Sequence, residues 1–213
     1  MQTATQYLAG TESAVRHLFT GIDIYLKLIR IATTPVFATS EPHGPAQDAE
    51  YEVWQIENRE SLEAARQAEK KFIAEYSALD ALCGAILQIA DKTLSLYGKD
   101  ASIPLEWQDV VKPGKKGTAK YWRGRLVREV PLGLVIHAAR NQHAHFDDPK
   151  PHTLTIRVFG FLATAHGYPT SAPDRMYDLA NLSLTSFASN VTGLMKWRTY
   201  DQFENDMRAL LEI

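Results

Sequence analysis

The sequence predicts an all-α protein, an up-and-down helical bundle of five to seven helices. Apolar residues recur at steps of three and four along several long stretches, which is the spacing of one face of an α-helix. The stretch from 48 to 97 contains no proline and a single glycine. Hydrophobic residues make up 45% of the 213 residues, and no break in composition divides them. We therefore expect one domain spanning 1–213.

The first helix is predicted over residues 11–32. Its apolar seam consists of Val15, Leu18, Phe19, Ile22, Tyr25, Leu26 and Ile29. Residues 33–45 contain three prolines and a glycine, which predict an irregular loop. A second helix is expected to begin near Asp48.

An apolar seam continues from Tyr51 to Tyr97. A continuous helix over this stretch would be roughly 75 Å long at about 1.5 Å per residue, longer than a domain of this size usually allows. We therefore expect a break or kink near residues 58–61, where the seam becomes polar and Ser61 can cap a new helix. Acidic residues crowd the beginning of the stretch. They form either a solvated face or a surface that attracts a basic partner.

Residues 98–124 lack helical periodicity and are predicted to form a long basic loop. Between Lys112 and Arg128 there are seven basic residues and no acidic one. Tyr121 and Trp122 lie among them, and positive charge beside aromatic rings suits a phosphate backbone and its bases. The candidate RNA-binding residues are Lys115, Lys116, Lys120, Arg123 and Arg125. The alternative is a solvated basic loop whose Trp122 packs into the core.

The segment Arg140-Asn141-Gln142-His143-Ala144-His145 closes an apolar predicted helix that begins at Pro131. Proline suits a first helical turn, and a second proline at 149 forbids continuation. Asn141 and His145 are four residues apart and share one face with His137. Arg140 leaves the helix about 140° from His145, so only its long side chain can bring the guanidinium near that imidazole. Two facing copies of the helix would make a tighter site than one.

The rest of the chain is also predicted to be helical. Residues 154–166 form a helix, with a short strand as the alternative because several β-branched residues lie there. Residues 167–173 form a turn. The segment 171–174 resembles a capped helix start, and apolar spacing extends this helix to about Met195. Thr199 and Gln202 make a second capping-box pattern, which opens a final helix.

Charge and cysteine content limit the classes of function. The formal net charge is -2, so any affinity for RNA must be local. Cys83 is the only cysteine, which excludes an intramolecular disulfide and a cysteine zinc cluster and suits a reducing cytoplasm. The first residues lack an export signal, and no stretch approaches about 18 uncharged apolar residues. We expect a cytoplasmic protein without membrane contact.

The spacing of Arg140, Asn141 and His145 resembles the Arg-Asn-x-x-x-His signature of the HEPN family, over about residues 125–148. HEPN proteins are small and all-helical, and many are ribonucleases that need no metal. The resemblance implies a HEPN-like bundle, an RNA substrate, no cofactor, and a homodimer whose two motifs line one cleft. It also implies a toxin or an antiviral defence effector, with an antitoxin or a regulatory protein as a further partner.

The resemblance further implies a role for each motif residue in cutting RNA. His145 would transfer protons, since imidazole titrates near neutral pH. Arg140 would stabilise negative charge on the phosphorane, and Asn141 would orient His145 or hold a phosphate oxygen. The 2′-OH would attack the adjacent phosphate and leave a 2′,3′-cyclic phosphate.

Other interpretations of the motif remain open. Arg140 and His145 could form a structural ion-pair cluster with the acidic residues at 147 and 148, at the negative end of the helix. Metal binding is disfavoured because His143 and His145 diverge by about 200° on a helix. A Ser/His/Asp triad lacks the glycines that frame a nucleophilic serine. The main rival is a non-catalytic HEPN-like module for binding or dimerisation. Exposure of Arg140 and His145 in a cleft beside the basic loop would favour an enzyme, and their burial in intramolecular ion pairs would favour the module.

Overall fold

The structure is a computed structural model that describes residues 2–31, 34–40, 42–110, 116–148, 150–167 and 172–213. Within these ranges it contains seven α-helices and one short β-hairpin, which confirms the predicted all-α fold. The helices are α1 (Ala4–Ile31), α2 (Pro45–Glu57), α3 (Arg59–Tyr97), α4 (Leu132–Ala144), α5 (Thr153–Thr164), α6 (Ala188–Leu194) and α7 (Tyr200–Leu211). The strands are β1 (Leu126–Val127) and β2 (Val130–Pro131), and two 3-10 helices cover Leu105–Trp107 and Lys116–Tyr121.

The chain divides into two compact units. One unit comprises residues 1–20 and 80–213, and the other comprises residues 21–79. Helices α1 and α3 each contribute residues to both units. The motif segment and the basic segment both belong to the first unit. A single domain spanning the whole chain remains a prediction.

Helix α4, which carries the motif at its C-terminal end, is largely buried. All of its first eight residues except His137 are buried. The helix contacts α5, α6 and the 3-10 helix at Lys116–Tyr121. Pro131 is its N-cap residue, one position before the helical turn where the sequence predicted it. Because a helix that is apolar all round must be enclosed, α4 is exposed mainly at its polar end.

Two helix starts differ from the predicted ones. Helix α1 begins seven residues earlier than predicted, at Ala4. Thr3 and Gln6 explain the difference, because each side chain accepts a hydrogen bond from the other's backbone N–H, at 2.9 and 3.2 Å. Helix α2 begins at Pro45, three residues before the predicted start, because proline suits the first turn.

The predicted break in the long second stretch is confirmed at Asn58, between α2 and α3. Asn58 donates from both its backbone N–H and its Nδ2 to the Trp54 carbonyl oxygen, at 2.9 Å each. This local side-chain bond competes with continuation of the helix. Ser61 does not cap α3, because α3 already begins at Arg59.

The second unit carries an aromatic cluster in which Tyr51 is exposed and Phe37 and Trp54 are half-buried. None of the residues of α2 is buried. Phe37 lies 5.2 Å from Tyr51 and 5.6 Å from Trp54, measured between ring centroids. Tyr51 and Trp54 stack at 5.7 Å. The acidic part of the sequence predicted as a solvated face is therefore mixed with exposed aromatic surface.

The prediction of a long helix ending near Met195 is wrong. Helix α6 covers only Ala188–Leu194, and residues 174–187 form consecutive turns. Asp174, Asp178 and Asn181 cause this, since each side-chain oxygen accepts from the backbone N–H two residues later, at 3.1, 2.9 and 3.2 Å. The proposed cap at 171 lies outside the described residues. By contrast, α5 confirms the helix predicted at 154–166.

Helix α3 contains an 18-residue window with a mean hydropathy of 1.4, enough to cross a membrane by length and composition. One third of that window is buried inside the protein, at 33%. The core helix of a soluble protein passes the same test, so a soluble protein is compatible with this helix.

The start of α7 provides a test of the fold. Thr199 accepts from the Gln202 N–H at 3.4 Å, and Gln202 Oε1 accepts from the Thr199 N–H at 3.2 Å, which confirms the predicted capping box. Replacing Thr199 by alanine removes the cap and should lower the free energy of unfolding by about 1 kcal/mol in a denaturant titration. Thr199→Ser keeps the hydroxyl and should lose less than half as much. Equal losses for both variants would contradict the capping role.

Candidate functional site

The motif segment lies where α4 leaves the core. Exposure increases along the segment, from the half-buried Arg140 and Asn141 to the exposed His145. At the other end of α4, a Cβ on Gly133 would lie only 2.7 Å from the Tyr121 carbonyl oxygen. Glycine therefore allows the first turn of α4 to lie directly on the backbone of Tyr121. This close approach places the Tyr121 side chain beside the next turn of α4, which carries His137.

A chain of hydrogen bonds connects the motif to α3. Arg140 Nη1 donates to Asn141 Oδ1 at 3.0 Å, and Asn141 Nδ2 lies 3.1 Å from His137 Nε2. His137 Nδ1 lies 2.8 Å from Asp91 Oδ1. Since an amide NH₂ can only donate, Nε2 of His137 must accept, and Nδ1 must carry the proton that Asp91 accepts. The Asp91 carboxylate thus fixes the tautomer of His137, and His137 fixes the orientation of Asn141.

Arg140 is also held against α3. Its Nε donates to Gln88 Oε1 at 2.8 Å and lies 3.9 Å from Asp91 Oδ2. The side chain is 29% exposed. Among the described residues, Arg140 Nη2 makes no hydrogen bond. One edge of the guanidinium is therefore anchored, and one nitrogen can receive an anion.

Tyr121 closes the other side of His137. The two rings stack with centroids 4.1 Å apart and planes inclined by 25°. Burial, together with the charge of Asp91, raises the pKa of the Tyr121 phenol above its ordinary value. His137 is therefore held between Tyr121 and its polar partners and has a positioning role.

His145 is the C-cap residue of α4 and belongs to a more exposed environment. Its Nδ1 lies 3.3 Å from Asp148 Oδ2, and its side chain is 59% exposed. A cavity of about 680 Å³ lies beside it, and both Asn141 and His145 line this cavity. Arg140 is not part of the lining; its guanidinium reaches Asn141 and Gln88 and does not fold back onto His145.

His143 supports the structure from a different face of α4. Its Nδ1 lies 2.9 Å from Ser186 Oγ and 3.4 Å from Asp80 Oδ2. Ser186 and Asp80 thus both contact Nδ1, whereas a Ser/His/Asp triad needs the serine at one ring nitrogen and the aspartate at the other. His143 Nε2 faces Gly84 of α3, and a Cβ on Gly84 would overlap the imidazole. The arrangement packs α4 against α3 and does not activate a nucleophile.

Asp80 contributes a buried charge to this contact. Burial alone would raise the pKa of the Asp80 carboxyl. Hydrogen bonds outweigh burial and lower that pKa below its ordinary value; the donors belong to His143, Ser186 and Ser189. The folded protein therefore holds Asp80 ionised, and the stability that this gives is present above the unfolded pKa and is lost as the pH falls through the folded pKa.

The described part of the basic segment makes intramolecular contacts. Lys120 Nζ donates to the Ser95 carbonyl oxygen at 2.6 Å. Arg123 pairs with Glu212 at 2.9 Å, and Arg125 forms a bidentate pair with Asp206 at 2.8 and 3.0 Å. Lys115 lies outside the described residues, as does the side chain of Lys116. An RNA-binding role for the five residues remains a prediction.

The aromatic residues of the basic segment are buried. Trp122 is 7% exposed and Tyr121 is 4% exposed. Trp122 packs edge-on against Trp107, with centroids 5.1 Å apart. This matches the alternative in which Trp122 enters the core, so neither ring is available for a base to stack on in this conformation.

Two residues of the site were missed in the sequence. Gln88 and Asp91 lie three residues apart on α3 and hold Arg140 and His137. Their sequence position gives no sign of this, since the partners are 46 and 52 residues away. The i, i+3 spacing of two polar residues within an apolar seam is the one local signal. Among the described residues, no group of three or more His, Cys, Asp or Glu side chains could hold a metal ion.

Comparison with known proteins identifies no relative. No family model, no curated protein and no solved structure matches the chain. The resemblance to HEPN proteins therefore rests on the motif residues.

The contact of Gly84 with His143 can be tested by a matched pair of variants. Gly84→Ala places a methyl group in the imidazole and should lower the free energy of unfolding by about 1–3 kcal/mol. Gly160→Ala, in the middle of α5 with open space around it, should instead raise it by about 0.5–1 kcal/mol.

Denaturant titration of Gly84→Ala, Gly160→Ala, His143→Ala and the Gly84→Ala, His143→Ala double variant measures the effect. The double variant should be more stable than the sum of the two single losses predicts, because the clash is removed. Strictly additive losses would show that the two residues do not meet.

Proposed function

We propose that this protein is a metal-independent endoribonuclease of the HEPN type that acts as a homodimer. One observation carries the proposal: Asn141, which is bonded to Arg140, and His145 line a single cavity at the end of α4. The three residue types that a phosphodiester cleavage needs are a permanent cation, an oriented amide and a proton-transferring imidazole. All three belong to the last turns of one helix.

The reaction is transesterification within the RNA. The 2′-oxygen attacks the adjacent phosphorus, the P–O5′ bond breaks, and the products are a 2′,3′-cyclic phosphate and a 5′-hydroxyl. His145 removes the proton of the 2′-OH or supplies the proton that the leaving 5′-oxygen takes up. Arg140 offsets the additional negative charge of the phosphorane.

Anchoring of Arg140 and Asn141 supports their assigned roles. Gln88 and Asn141 hold Nε and Nη1 of the guanidinium, so little reorganisation is needed when charge develops on the phosphate. Asn141 is fixed in turn by His137. Preorganised donors of this kind contribute more to a rate than mobile surface cations do.

A second copy of the chain completes the proposed site. Within one chain the guanidinium of Arg140 is turned toward α3, while His145 stands exposed at the cavity. Two copies of α4 facing each other place two Arg140 and two His145 around one scissile phosphate. One imidazole then accepts a proton while the other donates one.

A non-catalytic binding or dimerisation module is the second candidate function. It is favoured by the intramolecular contacts of Arg140 with Gln88 and Asp91, and by the ion pairs of Arg123 and Arg125. Such a module would bind RNA or a partner protein without cutting it. A role in toxicity or antiviral defence, with an antitoxin or regulator as partner, belongs to either candidate.

The proposal is tested by incubating purified protein with mixed RNA in EDTA and analysing the cut ends. The wild type should leave 2′,3′-cyclic phosphates, and Arg140→Ala and His145→Ala should each reduce the rate at least about 100-fold. His17→Ala, which changes an exposed histidine of α1, is the matched control and should cut like the wild type.

Mixing the two inactive variants distinguishes a composite site from two separate ones. A heterodimer retains one Arg140 and one His145, so partial activity should return if the site spans the dimer. Absence of cutting by the wild type while it binds RNA would favour the module. Equal cutting by wild type and both variants would exclude these residues as the catalytic ones.

A further inference from the structure

The cavity beside α4 has a polar end formed by the start of α5. Lys150, His152 and Thr155 line this end. His152 is the N-cap residue, and its Nδ1 accepts from the Leu154 N–H at 3.4 Å. The first N–H groups of a helix lack partners within the helix and carry partial positive charge, so this end of α5 favours an anion.

Thr155 gives independent evidence that a ligand belongs there. Its side chain is buried, with 2% exposure, and it lines the cavity. Its hydroxyl makes no hydrogen bond with any residue that the structure describes. A hydroxyl on a cavity wall without a protein partner can hydrogen-bond with a molecule that occupies the cavity. A ligand oxygen in the cavity would supply the missing partner.

Other residues of the cavity lining are large, apolar and exposed. Phe146 is 58% exposed and Leu182 is 94% exposed, although both are large apolar side chains. Phe187 lies deeper in the same lining and is buried. Large apolar side chains that stay exposed at the rim of a cavity are common where a flat or apolar ligand group binds.

We infer that this cavity binds one nucleotide of the RNA, with its base against Phe146 and Leu182 and its phosphate at the start of α5 with Lys150. A nucleotide is the ligand class that combines a flat ring with an anion, which suits a lining that has both exposed apolar side chains and a lysine beside a helix start. The volume of about 680 Å³ suits a ligand of this size. The inference rests on the proposed ribonuclease function and names a substrate subsite for it.

The cavity adjoins the proposed catalytic residues. Asn141 and His145 line the same cavity, so a nucleotide held there would be next to the phosphate that is cut. Asp148, the acidic residue of the lining, lies 3.3 Å from His145 and is compensated when that imidazole is protonated. The phosphate of the bound nucleotide therefore belongs at the Lys150 end, where positive charge is not balanced.

Isothermal titration with adenosine and uridine 5′-monophosphates tests the subsite without any cleavage. Both should bind the wild type more tightly than the nucleosides or inorganic phosphate do, since they use both ends of the cavity. Lys150→Ala should weaken binding about tenfold, and Thr155→Val, which keeps the shape of the side chain, should weaken it about fivefold. Thr155→Ser should restore most of the affinity.

The control is Lys70→Ala, which removes an exposed lysine of the other compact unit and should leave binding unchanged. Thermal unfolding of each variant confirms that it is folded. If no mononucleotide binds, or if Lys150→Ala and Thr155→Val bind as tightly as the wild type, the subsite is wrong. If both variants lose affinity while the wild type cuts no RNA, the subsite holds and the ribonuclease proposal fails.

Discussion

The hydrogen bond between Asp91 and His137 is the interaction on which the motif geometry depends. It joins α3 to the only polar side chain in the buried part of α4, at 2.8 Å. Because Nδ1–H of His137 donates to Asp91, Nε2 of His137 is left to accept from Asn141, whose Oδ1 in turn accepts from Arg140. Loss of this one carboxylate would leave the tautomer of His137 unfixed, and with it the orientation of Asn141.

The same arrangement separates two environments at the end of α4. Arg140 and Asn141 are anchored to the protein, while His145 caps the helix and stands in solvent beside the cavity. Gln142 holds Phe187, another residue of the cavity lining, since its Oε1 accepts from the Phe187 N–H at 3.1 Å. In a site that binds an anion and transfers a proton, rigid donors are expected to bind the anion and an accessible imidazole to transfer the proton.

The sequence was informative where local rules decide the structure. Apolar seams predicted the helices, and Thr199 with Gln202 predicted the start of α7, because a capping box involves residues only three positions apart. The failure at residues 174–187 has an equally local cause, since Asp174, Asp178 and Asn181 bond their own backbone where apolar spacing alone indicated a helix. Apolar spacing indicates which side chains can be buried in a helix, but it does not show whether side chain-to-backbone hydrogen bonds favour turns instead.

The candidate site was predictable only in part. Arg140, Asn141 and His145 could be selected from their spacing, whereas Asp91 and Gln88 became visible only when α3 was placed beside α4. For the basic segment, the sequence suggested a ligand but did not reveal the partners within the protein. Its charge suggested nucleic acid, but Arg123 and Arg125 meet Glu212 and Asp206, residues of the C-terminal region that no local pattern connects to them.

The protonation of His137 tests this account most directly. Nitrogen-15 NMR of histidine-labelled protein, with the His137 signals assigned from a His137→Gln variant, reports which ring nitrogen carries the proton. The account predicts a neutral ring protonated at Nδ1, and loss of that tautomer preference in Asp91→Ala. A ring protonated at Nε2 in the wild type would contradict the account, because Asn141 could then not donate to His137 and the chain of bonds to Arg140 would be broken.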